Sequence, residues 1–112
     1  MEIHVDHSKP AVWVRIAGSL DRSAAARLGE QLQQLMHGHQ ENLIIDLSGT
    51  LFLSAACTKA LLDTMLRLRA QSRRLVLCAA QPNIAAILHL SGLTRIIALV
   101  DHPQQVPINI AT

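Results

Sequence analysis

Apolar and polar residues follow two rhythms along this chain, and the changes of rhythm mark its elements. Ile3 and Val5 alternate with His4 and Asp6, a period of two that predicts a short edge strand. Ser8-Lys9-Pro10 reads as a turn, and Ala11 to Ala17 as a second strand with Val12, Val14 and Ile16 on one face. The short link makes the pair a hairpin. Gly18 to Ser23 is a loop that offers Asp21 or Ser23 as a helix N-cap. Leu28, Leu32, Leu35 and Met36 then recur at helical spacing, with Arg27, Glu30, Gln33 and Gln34 opposite. Gly38 ends that helix, which places His37 at the negative end of its dipole.

Leu43 to Leu47 is a third strand, apolar except for Asp46 and so expected to be buried on both faces. A turn leads into a central helix over roughly Ala55 to Ser72, with Leu61, Leu62, Met65, Leu66 and Leu68 assigned to its buried side. Lys59, Asp63 and Arg67 lie outside at spacings of four. Leu75 to Cys78 is a fourth strand. Pro82 suits the first turn of the next helix, with Ile84, Ile87 and Leu88 inside and Gly92 as its stop. Ile96 to Val100 is a fifth strand. The order is β-β-α-β-α-β-α-β, an α/β fold with a mixed, mostly parallel sheet, packed helices and right-handed crossovers. Residues 1–112 form one domain, with a core over 3–100 and a tail over 101–112. Pro103 and Pro107 leave any C-terminal helix short or missing.

Composition narrows the function more than the fold. Trp13 and Phe52 are the only aromatic residues, so the core is aliphatic. The net charge of +2 is too small to argue for nucleic acid, and the lack of stacking aromatics argues against an RNA-stacking surface. No apolar run approaches the ~20 residues that span a bilayer, and no leader-like stretch opens the chain, so a cytoplasmic domain is expected.

Candidate chemistry is thin. The six histidines are scattered, and His37 with His39 is a pair where zinc asks for three or four ligands. No nucleophile elbow, phosphate-binding loop or dinucleotide fingerprint is present, so no enzyme and no cofactor is expected. Asp21 reads as a cap and Asp46 as the stabiliser of a turn. Arg67, Arg69, Arg73 and Arg74 read as cations at a helix C-terminus. Cys57 falls in the first turn of the central helix and Cys78 at a strand end, at the same end of the sheet. A disulfide between them requires Cα atoms about 4.4–6.8 Å apart; otherwise they are small apolar residues.

Four stretches together resemble one family: Gly18-Ser19-Leu20-Asp21, Leu43-Ile44-Ile45-Asp46-Leu47-Ser48-Gly49, Arg74-Leu75-Val76-Leu77-Cys78, and Ile87-Leu88-His89-Leu90-Ser91-Gly92-Leu93. The chain is similar in these to STAS domains, the fold of bacterial anti-sigma factor antagonists, from Trp13 to Val100. The resemblance implies an antagonist that binds an anti-sigma factor of kinase-like ATPase fold, as a monomer or weak homodimer, with no direct nucleic-acid contact and no membrane insertion. In the family the loop before the central helix reads D-S-S-G, and its second serine is phosphorylated to switch off binding, because a phosphate adds about −1.5 to −2 charges to a docked surface. Here the matching residues are Ser54-Ala55-Ala56-Cys57, so the acceptor position is Ala56 and the phosphoswitch is expected to be lost. Ser54 and Thr58 are the hydroxyls that flank it. The family's closing helix is also missing from the pattern.

The implied contact surface is the loop Thr50–Thr58, with Thr50, Ser54, Ala55, Ala56, Cys57 and Thr58, together with Lys59, Asp63 and Asp21. The alternative implied by the same resemblance is a STAS accessory subunit that docks on the ATPase of a lipid-transporting ABC system.

Overall fold

A computed structural model describes residues 1–7, 11–37 and 41–102. The expected turn at Ser8–Pro10, the stop at Gly38, His39 and the tail from Pro103 onward, including its short or missing helix, lie outside the described residues.

The strands are β1 (Glu2–Asp6), β2 (Val12–Leu20), β3 (Leu43–Asp46), β4 (Thr50–Leu53), β5 (Leu75–Cys78) and β6 (Ala98–Val100). The α-helices are α1 (Ala25–Met36), α2 (Ala55–Ala70) and α3 (Pro82–Leu90), with 3-10 turns at Arg22–Ala24 and Leu93–Arg95. β1 pairs antiparallel with β2, which makes the expected hairpin. β2–β3, β3–β5 and β5–β6 pair in parallel, in the spatial order β1-β2-β3-β5-β6.

The alternation of side chains along β2, β3 and β5 sorts the interior into two layers. Val12, Val14 and Ile16, with Leu43, Ile45, Leu75 and Leu77, face all three helices and form the main core. Ile44, Val76 and Cys78 point to the opposite face, where they cluster with Ala11 beside Trp13 and Val100. The indole Nε1 of Trp13 is buried there with no hydrogen-bond partner among the described residues.

Two features differ from the expected order. β2 runs on to Leu20 instead of stopping near Ala17, and β4 is an additional strand that pairs with that extension in parallel. Gly18 permits this: its φ is +96°, and the register shifts between Gly18 and Ser19. A bulge at a residue without Cβ bends the strand at low cost. Thr50 secures the new pairing from inside, fully buried, by donating from Oγ1 to the Ile16 carbonyl over 2.7 Å. The fifth expected strand is shorter, because Ile96 and Ile97 are drawn into the end of the 3-10 turn, where each amide bonds to the Leu93 carbonyl.

α2 buries Leu61, Met65 and Leu68 as expected, but its buried face is rotated away from Leu62 and Leu66. Its buried residues are Cys57, Thr58, Leu61, Thr64, Met65 and Leu68, while Leu62 is half-buried and Leu66 is 49% exposed. Two threonines tolerate the interior because each hydroxyl donates back one turn, Thr58 to the Ser54 carbonyl and Thr64 to the Ala60 carbonyl.

The four-arginine group divides. Arg73 is buried and forms part of the scaffold, with Nε donating to the Glu41 carbonyl and Nη1 to the Met36 carbonyl and to Gln71 Oε1. Met36 ends α1, so this guanidinium satisfies a carbonyl that the helix leaves unpaired. Arg67, Arg69 and Arg74 remain exposed.

Candidate partner-binding site

Two loops meet at the start of α2. The first follows β2: Asp21 accepts from the Ala24 amide at 3.1 Å and from the Ser23 hydroxyl at 2.6 Å, and so caps the 3-10 turn that opens α1. The Ser23 hydroxyl, above all, holds the Asp21 carboxyl below its ordinary value of 3.8. The second loop is the corner between β4 and α2. Ser54 is the N-cap of α2, its Oγ accepting from the Cys57 amide at 3.2 Å.

Direct bonds join the two loops. The Ser54 amide donates to the Leu20 carbonyl at 2.8 Å, and the Cys57 thiol donates to the Asp21 carbonyl at 3.3 Å. Asp21 and the N-terminus of α2 are therefore held in one piece, although 36 positions separate Asp21 from Cys57. A docking surface made from rigid neighbours loses little freedom when it binds.

The residues expected at this surface fall into two groups. Asp21, Ala55, Lys59 and Asp63 are exposed, and Ser54 and Ala56 are half-buried at its centre. Thr50 and Cys57 are fully buried and Thr58 is 7% exposed, which corrects their assignment to the contact surface. They shape the loop from beneath, because their polar groups are spent on main-chain carbonyls.

Two apolar residues inside the expected loop, which the resemblance does not single out as contacts, are also exposed. Leu51 is 60% and Phe52 48% exposed on β4, just before the corner. The sequence carries a signal for them: an aliphatic–aromatic pair in a stretch that reads as loop has no core to enter. Asn83 holds this strand by donating to the Leu51 carbonyl at 3.2 Å.

Ala56, Lys59 and Asp63 also form one wall of a groove between α1 and α2, about 470 Å³ in volume, with Ala26, Gly29 and Glu30 opposite. Asp46 performs the turn-stabilising role expected of it, accepting from the Ser48 amide at 2.8 Å. The two cysteines are not positioned for a bridge: Cys57 lies in the helix-facing core and Cys78 on the far face of the sheet. No group of three or more His, Cys, Asp or Glu that could hold a metal occurs among the described residues. Among them, too, no helix is long and apolar enough to cross a membrane.

A family described as "Mlab, STAS domain" matches residues 3–101. The chain belongs to the STAS domain family. An anti-sigma F factor antagonist of Paenibacillus polymyxa is 20% identical over 103 residues, covering 91% of this chain and 88% of that one. Among solved structures, an anti-sigma factor antagonist from Mycobacterium paratuberculosis superposes with a TM-score of 0.88 at 22% identity, covering 99% and 94% of the two chains. The Bacillus cell fate determinant SpoIIAA, in its phosphorylated form, gives 0.69 at 18% identity over 94% and 96%. Likeness at these identities establishes a shared STAS fold, with its mixed, mostly parallel sheet, across nearly the whole of each chain.

Proposed function

We propose that this STAS domain is an anti-sigma factor antagonist that binds an anti-sigma factor of kinase-like ATPase fold, and thereby regulates sigma-dependent transcription without a serine phosphoswitch. The observation that carries the reading is the joined pair of loops, which presents Asp21, Ala55 and Ala56 together at the start of α2. Ala55 and Ala56 let a partner backbone approach closely, Lys59 and Asp63 supply charge at the rim, and Leu51 and Phe52 supply apolar area. The domain acts by binding, in the cytoplasm, with no cofactor and no catalytic residue, as a monomer or weak homodimer.

Ala56 stands at the acceptor position and has no hydroxyl to modify. Its neighbours do not replace it. Ser54 Oγ is engaged as the cap of α2, and Thr58 Oγ1 is buried against the Ser54 carbonyl. Phosphorylating either would break the first turn of the helix that forms the surface.

A second reading, an accessory subunit on the ATPase of a lipid-transporting ABC system, is favoured by one observation: the matching family description names the Mlab group rather than sigma regulators. Both readings use the same surface. Affinity capture from the native cell separates them, with wild-type protein and an Ala55→Arg variant as bait. The first reading expects an anti-sigma factor that the variant loses by about tenfold or more, the loss of a central contact. Recovery of a transport ATPase and no sigma regulator overturns it. Incubating the captured kinase and ATP with the protein is expected to leave it unmodified, and phosphate on Ser54 or Thr58 overturns the loss of the switch.

A further inference from the structure

On the side of α2 away from α1, a seam runs between α2 and the segment formed by α3 and the 3-10 turn after it. Apolar side chains that the core covers only in part collect along it. Leu62 is half-buried and Leu66, one turn on, is 49% exposed; both are offset by about 100° from the buried stripe of Leu61 and Met65. Across the seam, Ile87 is half-buried and Ile96 is 44% exposed, and Leu90, at the end of α3, is 88% exposed. Single exposed leucines are ordinary, but a run of them along one seam marks an interaction surface.

The seam is concave. A cavity of about 310 Å³ lies over Leu62, Ile87 and Leu93, and another of about 320 Å³ lies over Met65, Arg69 and Ile96. The charge around them has one sign. Lys59 lines the first cavity, Arg69 and Arg74 line the second, and Arg95 is exposed in the turn between Leu93 and Ile96. Among the described residues no carboxylate lines either cavity, and Asp63 lines the groove toward α1 instead.

We propose that this seam docks an acidic amphipathic helix of a partner protein, aliphatic on one face and carboxylate-rich along its edges. The mode is a helix laid in a groove, with apolar anchors at i, i+3 or i+4, and i+7. From Ala55 to Arg69 the seam extends for about 21 Å, the length of a helix of about 14 residues. A bilayer surface fits less well, since a flat interface leaves two concave cavities unfilled. A second copy of this chain fits less well again, since two cationic rims repel. The seam shares Ala55 and Lys59 with the joined loops at one end, but Leu66, Leu90, Arg69 and Arg95 lie outside those loops, so substitutions at these four positions test the seam apart from the proposed function.

The test is selection from a displayed library of peptides of about 16 residues, long enough to cover the seam, followed by fluorescence anisotropy on the enriched sequences. The expected outcome is enrichment of net-negative peptides with apolar residues at helical spacing. Their affinity is expected to fall about tenfold in Leu66→Glu/Leu90→Glu and in Arg69→Glu/Arg95→Glu, and to weaken with salt. Leu90→Ser alone, at the most exposed site, keeps the test valid if a double variant loses its fold. No enrichment, enrichment of cationic or charge-free peptides, or binding that ignores these substitutions overturns the proposal. Co-sedimentation with phosphatidylglycerol vesicles, or a dimer in sedimentation velocity, that these same variants abolish also overturns it.

Discussion

The Cys57 thiol donates to the main-chain carbonyl of Asp21 across 3.3 Å, and in doing so fastens the first turn of α2 to the loop that precedes α1. Asp21 faces solvent in the candidate surface, whereas Cys57 is fully buried beneath it. Cysteine meets the two demands of this position: it is small and apolar enough for the core, and its S–H is a weak donor.

Cys57→Ala is expected to lower stability by about 1–2 kcal/mol through the lost volume and the unpaired carbonyl, read by chemical denaturation. Cys57→Ser keeps a donor and is expected to lose less. Burial pushes the Cys78 thiol up to about 12, with the nearby Asp46 carboxylate adding to the shift. Cys78 is accordingly expected to resist a disulfide-exchange reagent at neutral pH, Cys57 is expected to resist it because it is fully buried, and both are expected to react on unfolding; rapid labelling of the native protein contradicts this.

Arg73 is the buried cation that joins the end of α1, the chain before β3 and the end of α2. Burial lowers its pKa below the ordinary arginine value, yet it stays charged at any pH the fold survives, since arginine is not deprotonated in proteins. Arg73→Met removes three hydrogen-bond donations, among them those to the Met36 and Glu41 carbonyls, for an expected loss of about 2–4 kcal/mol. Arg73→Lys retains the charge without the fork and is expected to recover less than half of that loss. If denaturation midpoints for Arg73→Met match wild type, these bonds do not stabilise the fold.

Asp21 makes acid stability depend on the site. Its folded pKa lies below 3.8, held there first by the Ser23 hydroxyl. A carboxylate with a depressed folded pKa contributes stability fully above its unfolded value and loses it as the pH falls through the folded one. The contribution is thus intact at neutral pH and disappears below about pH 4. Asp21→Asn is expected to flatten the acid limb of a stability–pH curve while leaving its shape above about pH 5 unchanged. An identical acid limb in the variant excludes this role for Asp21.

The parts of this fold that rest on periodicity are legible in the amino-acid sequence. Val12, Val14 and Ile16 share a face, Leu28 and Leu32 lie inside α1, and the hairpin and parallel order follow from strand–helix alternation. What is not legible depends on contacts between distant residues. β4 exists because β2 bends at Gly18 and offers it an edge, and a four-residue stretch carries no period of its own. Leu66 looks as apolar as Leu68, and only the rotation of α2 against the sheet decides which is buried. The same holds at the candidate site. Resemblance locates the loop, but Thr50 and Cys57 turn inward because the Ile16 and Asp21 carbonyls need donors.

Two helix positions carry residues that a stable helix would exchange. Gly29 lies inside α1, where an added Cβ would meet nothing within 4 Å. Ser72 follows α2 with φ +58°, and the Ser72 and Arg73 amides bond back to the Arg69 and Leu68 carbonyls. That is the left-handed helix end that favours glycine. Gly29→Ala removes backbone freedom from the unfolded chain, and Ser72→Gly relieves the Cβ strain of a positive φ. Each is expected to stabilise by about 0.5–1 kcal/mol, which corresponds to a rise in Tm of about 2–5 °C for a domain of this size. Gly29 also forms part of the groove beside Ala56 and Asp63. A Gly29→Ala protein that melts higher yet loses the partner captured by wild type therefore places that partner against α1, whereas unchanged capture confines it to the joined loops and the outer face of α2.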